Sequence, residues 1–193
     1  MGWEIRCAYS ALGSDRVKFV ETPLKGAFVI DIEPIEDERG FFARSWCREQ
    51  WEQHGLDSHL EQCNISFNRH KNTLRGMHLQ SAPHEEIKLV RCTRGAIYDV
   101  IVDLRPSSPT WKQWFAVELS ADNHRMLYIP GGLAHGFQTL EDNSEVFYQM
   151  SQAYHPASAR SVRWDDPAFG IEWPDAQERI ISRADREVAD YTP

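Results

Sequence analysis

The chain has 193 residues, 41% of them hydrophobic and 26% charged, a composition that excludes collagen-like, low-complexity and wholly disordered readings. A chain of this length buries roughly 70% of its unfolded surface, so a single domain spanning 1–193 can build a core without disulfide or metal staples. Lys plus Arg total 21 against 29 for Asp plus Glu, a net charge of −8; that field repels polyanions and argues against a nucleic-acid partner.

Residues 1–20 show no sustained period and read as an N-terminal arm or edge strand with nothing chemical in it. From Gly26 onward, short β-branched or aromatic runs alternate with Gly, Pro, Asn and Asp. The spacing predicts strands over Ala27–Ile32, Leu74–Leu79, Lys88–Arg94, Ala96–Leu104, Trp114–Leu119, Met126–Ile129 and Glu145–Ser151. Many short strands with regular punctuation mean a sandwich or barrel, and long helices that would build a doubly wound nucleotide fold are missing from the pattern. Only Arg48–His54 reads as a helix, with Gly55 placed to end it. In Ala96–Leu104, Tyr98, Val100, Val102 and Leu104 form an apolar face, while Ile97, Asp99, Ile101 and Asp103 share the other face, so this strand is expected to line a core or a pocket wall. From residue 166 the chain reads as a tail folded back over a barrel of residues 21–165, with about one helical turn.

Cys7, Cys47, Cys63 and Cys92 include no C-x-x-C pair, the first residues lack the apolar run of a signal peptide, and no stretch approaches the roughly 18 apolar residues of a membrane span. Reduced thiols in a cytoplasmic protein, with no membrane partner, are the expectation.

Four side chains stand out. His78 lies inside an apolar strand run; by simple alternation it shares a face with Leu74, Gly76 and Gln80, and alone it reads as a hydrogen-bonded core histidine. Lys88 opens a strand and alone reads as an edge lysine. Tyr148 shares a face with Val146 and Met150, so it should point inward. Asp185 sits in a charged tail, where solvation is the default. A fifth, His135, follows the turn Pro130-Gly131-Gly132 and is fixed at a tight corner. A metal-binding barrel would need more imidazole than His78-Leu79-Gln80 supplies, because the amide of Gln80 is a poor ligand, so no metal is expected. His54, His59, His70, His124 and His155 fall in polar or loop surroundings and read as surface residues.

Eight segments in order, among them Asp37-Glu38-Arg39-Gly40-Phe41-Phe42, Gln62-Cys63-Asn64-Ile65-Ser66, Leu74-Arg75-Gly76-Met77-His78-Leu79-Gln80, Lys88-Leu89-Val90-Arg91, Ile129 to Phe137 and Gly170 to Pro174, resemble the dTDP-4-dehydrorhamnose 3,5-epimerase family. The resemblance runs from about Thr22 to Asp185. It implies an all-β, cupin-like jelly-roll barrel with a short helix and a C-terminal tail over the barrel, acting without a cofactor as a homodimer on a nucleotide-diphosphate sugar. By position in these motifs, His78 resembles the general base, Asp185 its orienting carboxylate and Tyr148 the general acid. Lys88 and His135 resemble pocket residues around the sugar. Arg75, Gln62 and Asn64 resemble nucleotide or diphosphate contacts, and Tyr154 the aromatic stacked on the base. Arg39, beside Phe42, belongs to a segment the family donates across the dimer. Two positions depart from the thymidine-linked pattern: Arg44 stands where glutamate is common, and Ala184 where lysine is common, with Arg183 a candidate substitute. The implied reaction is epimerisation at carbon 3, carbon 5 or both of a 4-keto-6-deoxy sugar. The rival readings are a metal-dependent cupin oxygenase or isomerase using His78, His135 and a carboxylate, and a non-catalytic sugar-nucleotide-binding barrel.

Overall fold

The structure is a computed structural model and describes residues 17–192; most of the N-terminal arm lies outside the described residues. Strands β1 (Val17–Glu21), β2 (Phe28–Ile32), β5 (Gln62–Asn68), β7 (Lys88–Arg94), β10 (Met126–Ile129) and β12 (Ser144–Met150) form one sheet in the order β1-β2-β10-β7-β12-β5. A second sheet has the order β13-β6-β11-β8-β9, from β6 (Thr73–Gln80), β8 (Ala96–Asp103), β9 (Trp114–Ser120), β11 (Leu133–Thr139) and β13 (Ala159–Ser161), with β14 (Ile180–Ile181) pairing parallel to β6. A hairpin of β3 (Ile35–Asp37) and β4 (Gly40–Phe42) stands apart. This is the expected cupin-like jelly roll.

Three apolar clusters hold it. Between the sheets, Val29, Val90, Leu127, Ile129 and Val146 meet Ile97, Ile101, Leu119, Leu133 and Phe137. Outside the first sheet, Ile30, Leu89, Met126 and Tyr128 pack on Trp51 of α1 (Arg48–Gln53). A buried tryptophan of this size removes on the order of 150–250 Å² from water, which explains why a six-residue helix persists at all. Gly55 takes φ +68 just beyond the helix and its N–H bonds the Glu52 carbonyl, so the predicted stop is a left-handed turn suited to glycine. Outside the second sheet, the tail brings Phe169, Ile171, Trp173 and Tyr191 against Met77, Val100 and Val102.

That third cluster completes the alternation read in β8. Its apolar face looks outward and is covered by the tail, while the face bearing Asp99 and Asp103 looks inward with Ile97 and Ile101. Both faces are buried, and each carboxylate has its own partners. Asp103 accepts from Arg105, Ser108 and Thr110 at 2.6–2.9 Å; Asp99 is fully buried behind His135.

The candidate active site

Away from the apolar core, the two sheets part around a cavity of about 760 Å³. The first sheet contributes Asn64 and Ser66 of β5, Lys88 of β7 and Tyr148 of β12; the second contributes Arg75 and His78 of β6, His135 of β11 and Arg160 of β13. Asp185, on α2 (Arg183–Arg186), closes one side. His78 and Tyr148 therefore face a single space from opposite sheets.

Regular alternation would send Arg75 and His78, three residues apart, to opposite faces of β6. Both open to the cavity because the register with β11 slips: His135 pairs His78 while Phe137 pairs Arg75, so β6 carries one residue more than its partner across this stretch. The expected face shared by His78 and Gly76 is corrected accordingly. Glycine makes the slip possible. Gly76 adopts φ +137, and a Cβ built on it would lie 2.5 Å from the Gly136 Cα, far inside contact distance.

His78 Nε2 lies 2.7 Å from Asp185 Oδ1. The tail reaches this point because β14 lies along β6 and Ser182 caps α2, its hydroxyl accepting from the Asp185 N–H at 3.0 Å. Burial would raise the Asp185 carboxyl, but hydrogen bonds from His78, Ser182 and the Gly76 backbone, with the His78 charge, hold it below its ordinary range. An ionised carboxylate only accepts, so Nε2 of a neutral His78 carries the hydrogen and the lone pair sits on Nδ1. His135 makes a second such pair, Nε2 to Asp99 Oδ1 at 2.7 Å, entirely buried. Burial drives the Asp99 carboxyl up, with His135 opposing. The alternation in β8 predicts that its Asp99 face lines a core or a pocket wall; the carboxylate lies in the core, directly behind the cavity-lining His135.

Tyr148 packs edge-on to His135, ring centres 6.1 Å apart. Burial pushes its phenol well above the usual range, the Asp99 charge adds to this, and Arg75 opposes it; the group is a proton donor at neutral pH. Lys88 is no edge lysine: β7 is interior to its sheet, and the ammonium is buried against the Glu86 carboxylate. Arg75 donates to Asn68 Oδ1 at 2.8 Å, which fixes its guanidinium at the cavity wall.

Other expected residues lie at the rim or beyond it. Tyr154 is exposed at the mouth, its N–H donating to Gln62 Oε1, so Gln62 braces the aromatic without lining the cavity. Asn64 lines it and donates to Met150 Sδ. Ala184 lines it too, but Arg183 does not substitute for a lysine there; its guanidinium turns outward onto Glu187. Arg160 is the cavity-lining cation on that side. Arg39, Phe42 and Arg44 do not line this chain's cavity. Arg39 is paired with Asp37 on the outlying hairpin, where Phe41 and Phe42 are exposed. Of the five histidines read as surface residues, His155 is half-buried and stacks on His84 at 3.6 Å.

Among the described residues, no group of three His, Cys, Asp or Glu side chains converges to hold a metal ion, and no helix among them is long and apolar enough to cross a membrane.

Residues 21–192 match the family model of dTDP-4-dehydrorhamnose 3,5-epimerase. The chain belongs to this family. The dTDP-4-dehydrorhamnose 3,5-epimerase of Salmonella typhimurium is 41% identical over 167 residues, 86% of this chain and 91% of that protein. The crystal structure of the Elizabethkingia anophelis epimerase superposes with a TM-score of 0.89 at 36% identity, covering 92% of this chain and 97% of that one. The Bacillus anthracis epimerase, solved with TDP and pyrophosphate bound, gives 0.87 at 39% identity, covering 91% and 99%. The family resemblance of the motifs is thus matched over nearly the whole described chain.

Proposed function

We propose that this epimerase works on a dTDP-linked 4-keto-6-deoxyhexose and inverts carbons 5 and 3, with His78 as base and Tyr148 as acid. The observation that carries the assignment is the one cavity into which the His78–Asp185 pair and the Tyr148 phenol both open. Its volume suits a sugar held between two walls with a nucleotide leaving through the mouth.

The C–H bonds beside a ketone are weakly acidic. His78 Nδ1 takes one such proton, the electron pair moves into the ring, and negative charge appears on the carbonyl oxygen. Asp185 stabilises the imidazolium, and positioned proton transfer of this kind contributes typically 10²- to 10⁴-fold. The enolate oxygen meets the Lys88 ammonium; removing one such stabilising group commonly costs about 3 kcal/mol in the transition state. Tyr148 O–H then donates to the opposite face of the same carbon, which inverts it. The imidazolium and phenolate that remain exchange protons with solvent before the next cycle. Arg75, with Arg160, grips the diphosphate and Tyr154 stacks on the base, so remote binding energy holds the ring in register.

The enzyme acts as a homodimer in the cytoplasm. Support for the dimer comes from the exposed apolar hairpin and from Ile65 and Phe67 on the outer strand β5. The free thiols of Cys47, Cys63 and Cys92 support the compartment.

Tyr148→Phe separates the two roles. In deuterated water this variant should still exchange the substrate proton through His78 while failing to invert the carbon, whereas His78→Ala should abolish exchange. Full inversion by Tyr148→Phe, or undiminished exchange by His78→Ala, removes the corresponding role.

A further inference from the structure

The mechanism above needs a cation at the enolate oxygen, yet Lys88 is almost wholly withdrawn from water, its side chain 7% exposed. A solitary ammonium in such a place gives up its proton readily. Glu86, two residues earlier and just ahead of β7, brings its carboxylate onto Lys88 Nζ and is equally buried. Both side chains line the cavity. The other ionisable groups around that space are His78 and Arg75 from β6, Asp185 from α2, His135 from β11 backed by Asp99, Tyr148 from β12, Tyr154 at the mouth and Arg160 from β13. Among the hydrogen bonds of the described residues, the partner of the ammonium is Glu86. The second carboxylate oxygen, Oε2, is buried and has no other donor, so the charge of Glu86 is not divided among competing partners.

We propose that Glu86 is a positioning residue for enolisation: it keeps Lys88 an ammonium at the cavity wall, so that the developing oxyanion meets a full positive charge rather than a neutral amine. The inference rests on the epimerase reading above and assigns a role to a residue outside the base, the acid and the nucleotide grip. Burial holds Lys88 below its ordinary range, and the charge and hydrogen bond of Glu86 oppose that fall. Tyr148 is held far above the neutral range, so loss of activity on the alkaline side reports Lys88 and not the phenol. A buried pair of this kind contributes little net stability, which leaves the charge state of Lys88 as its consequence for the reaction.

The test is deuterium incorporation from solvent into dTDP-4-keto-6-deoxyglucose, followed from about pH 6 to about pH 10. In Glu86→Gln the alkaline limb of kcat should move at least about one unit to lower pH, so that the rate at high pH falls roughly tenfold more than the rate at low pH. Glu86→Asp, which keeps the charge but withdraws it by one methylene, should lie between the two. In a Lys88→Met background, Glu86→Gln should leave the profile unchanged. Unaltered affinity for dTDP identifies each variant as folded, and if Glu86→Gln is lost to misfolding the Glu86→Asp profile decides alone. A limb at the wild-type position, or a loss uniform across pH, overturns the proposal while leaving the epimerase reading intact. No deuterium incorporation by the wild type at any pH overturns the epimerase reading and this inference with it.

Discussion

Gly136→Ala adds one methyl group where β6 and β11 cross most closely. A Cβ there would lie 2.6 Å from Met77 Sδ, 2.8 Å from the Arg75 carbonyl oxygen and 3.0 Å from the Gly76 Cα. Ordinary contacts need about 3.5 Å or more. The methionine can turn away, but the two backbone contacts cannot, so the strands must separate by roughly 0.5–0.7 Å at this crossing. Overpacking of this kind costs about 1–3 kcal/mol, which for a chain of this length lowers Tm by about 2–12 °C. The larger effect is catalytic. Arg75, His78 and His135 all hang from this crossing, the Gly76 backbone also bonds Asp185, and a displacement approaching 1 Å costs on the order of 10²-fold in rate. Thermal melting and deuterium exchange into the keto sugar, both read well below Tm, measure the two parts separately. A Gly136→Ala enzyme within about threefold of wild-type kcat would refute the claim that the glycine crossing sets the site geometry.

Asp185→Asn removes the charge that holds the hydrogen on His78 Nε2, and the amide can turn its NH₂ to that nitrogen and force the other tautomer; kcat for exchange should fall about 10²- to 10⁴-fold with dTDP affinity retained. An exchange rate near wild type would show that the pairing is structural. Asp103 lies outside the cavity, and although burial would raise its carboxyl, Arg105, Ser108 and Thr110 hold it down to about 2. Because the folded value is depressed, the stabilisation is present above the ordinary value of 3.8 and is lost as pH falls from there through about 2, a difference worth about 2 kcal/mol. Urea denaturation of Asp103→Asn should show that deficit at pH 7 and a shrinking one toward acid, with kcat unchanged; a deficit independent of pH contradicts the assignment. Phe67→Glu places a charge on the exposed face of the outer strand β5 and should halve the mass seen by light scattering, whereas an unchanged dimer mass rules this face out as the interface.

The strands that sequence reading finds are those with β-branched content and clear punctuation: Lys88–Arg94 and Met126–Ile129 agree with the structure end to end. Gln62–Asn68 escapes it because an outer strand mixing Gln, Cys, Asn and Ser lacks the apolar alternation that marks a half-buried ribbon. Leu133–Thr139 escapes for the opposite reason, since every residue in it is buried and its Gly136 and Gln138 carry no period. At the site, residue types and motif resemblance single out His78, Tyr148, Lys88 and Asp185. Two things depend on long-range contact and leave no local trace: the slip at Gly76 and the pairing of Asp99 with His135. The Glu86–Lys88 pair is a middle case, because a spacing of two keeps the two side chains within reach of each other, but only burial makes the carboxylate matter.

The central claim is that one hexose lies between His78 and Tyr148 and exchanges protons with both. Incubating the wild-type enzyme with dTDP-4-keto-6-deoxyglucose in deuterated water and assigning each ring position by NMR measures this directly. The account predicts deuterium at carbons 5 and 3, with both centres inverted. A sugar recovered with its original hydrogens and configuration after prolonged incubation would contradict it.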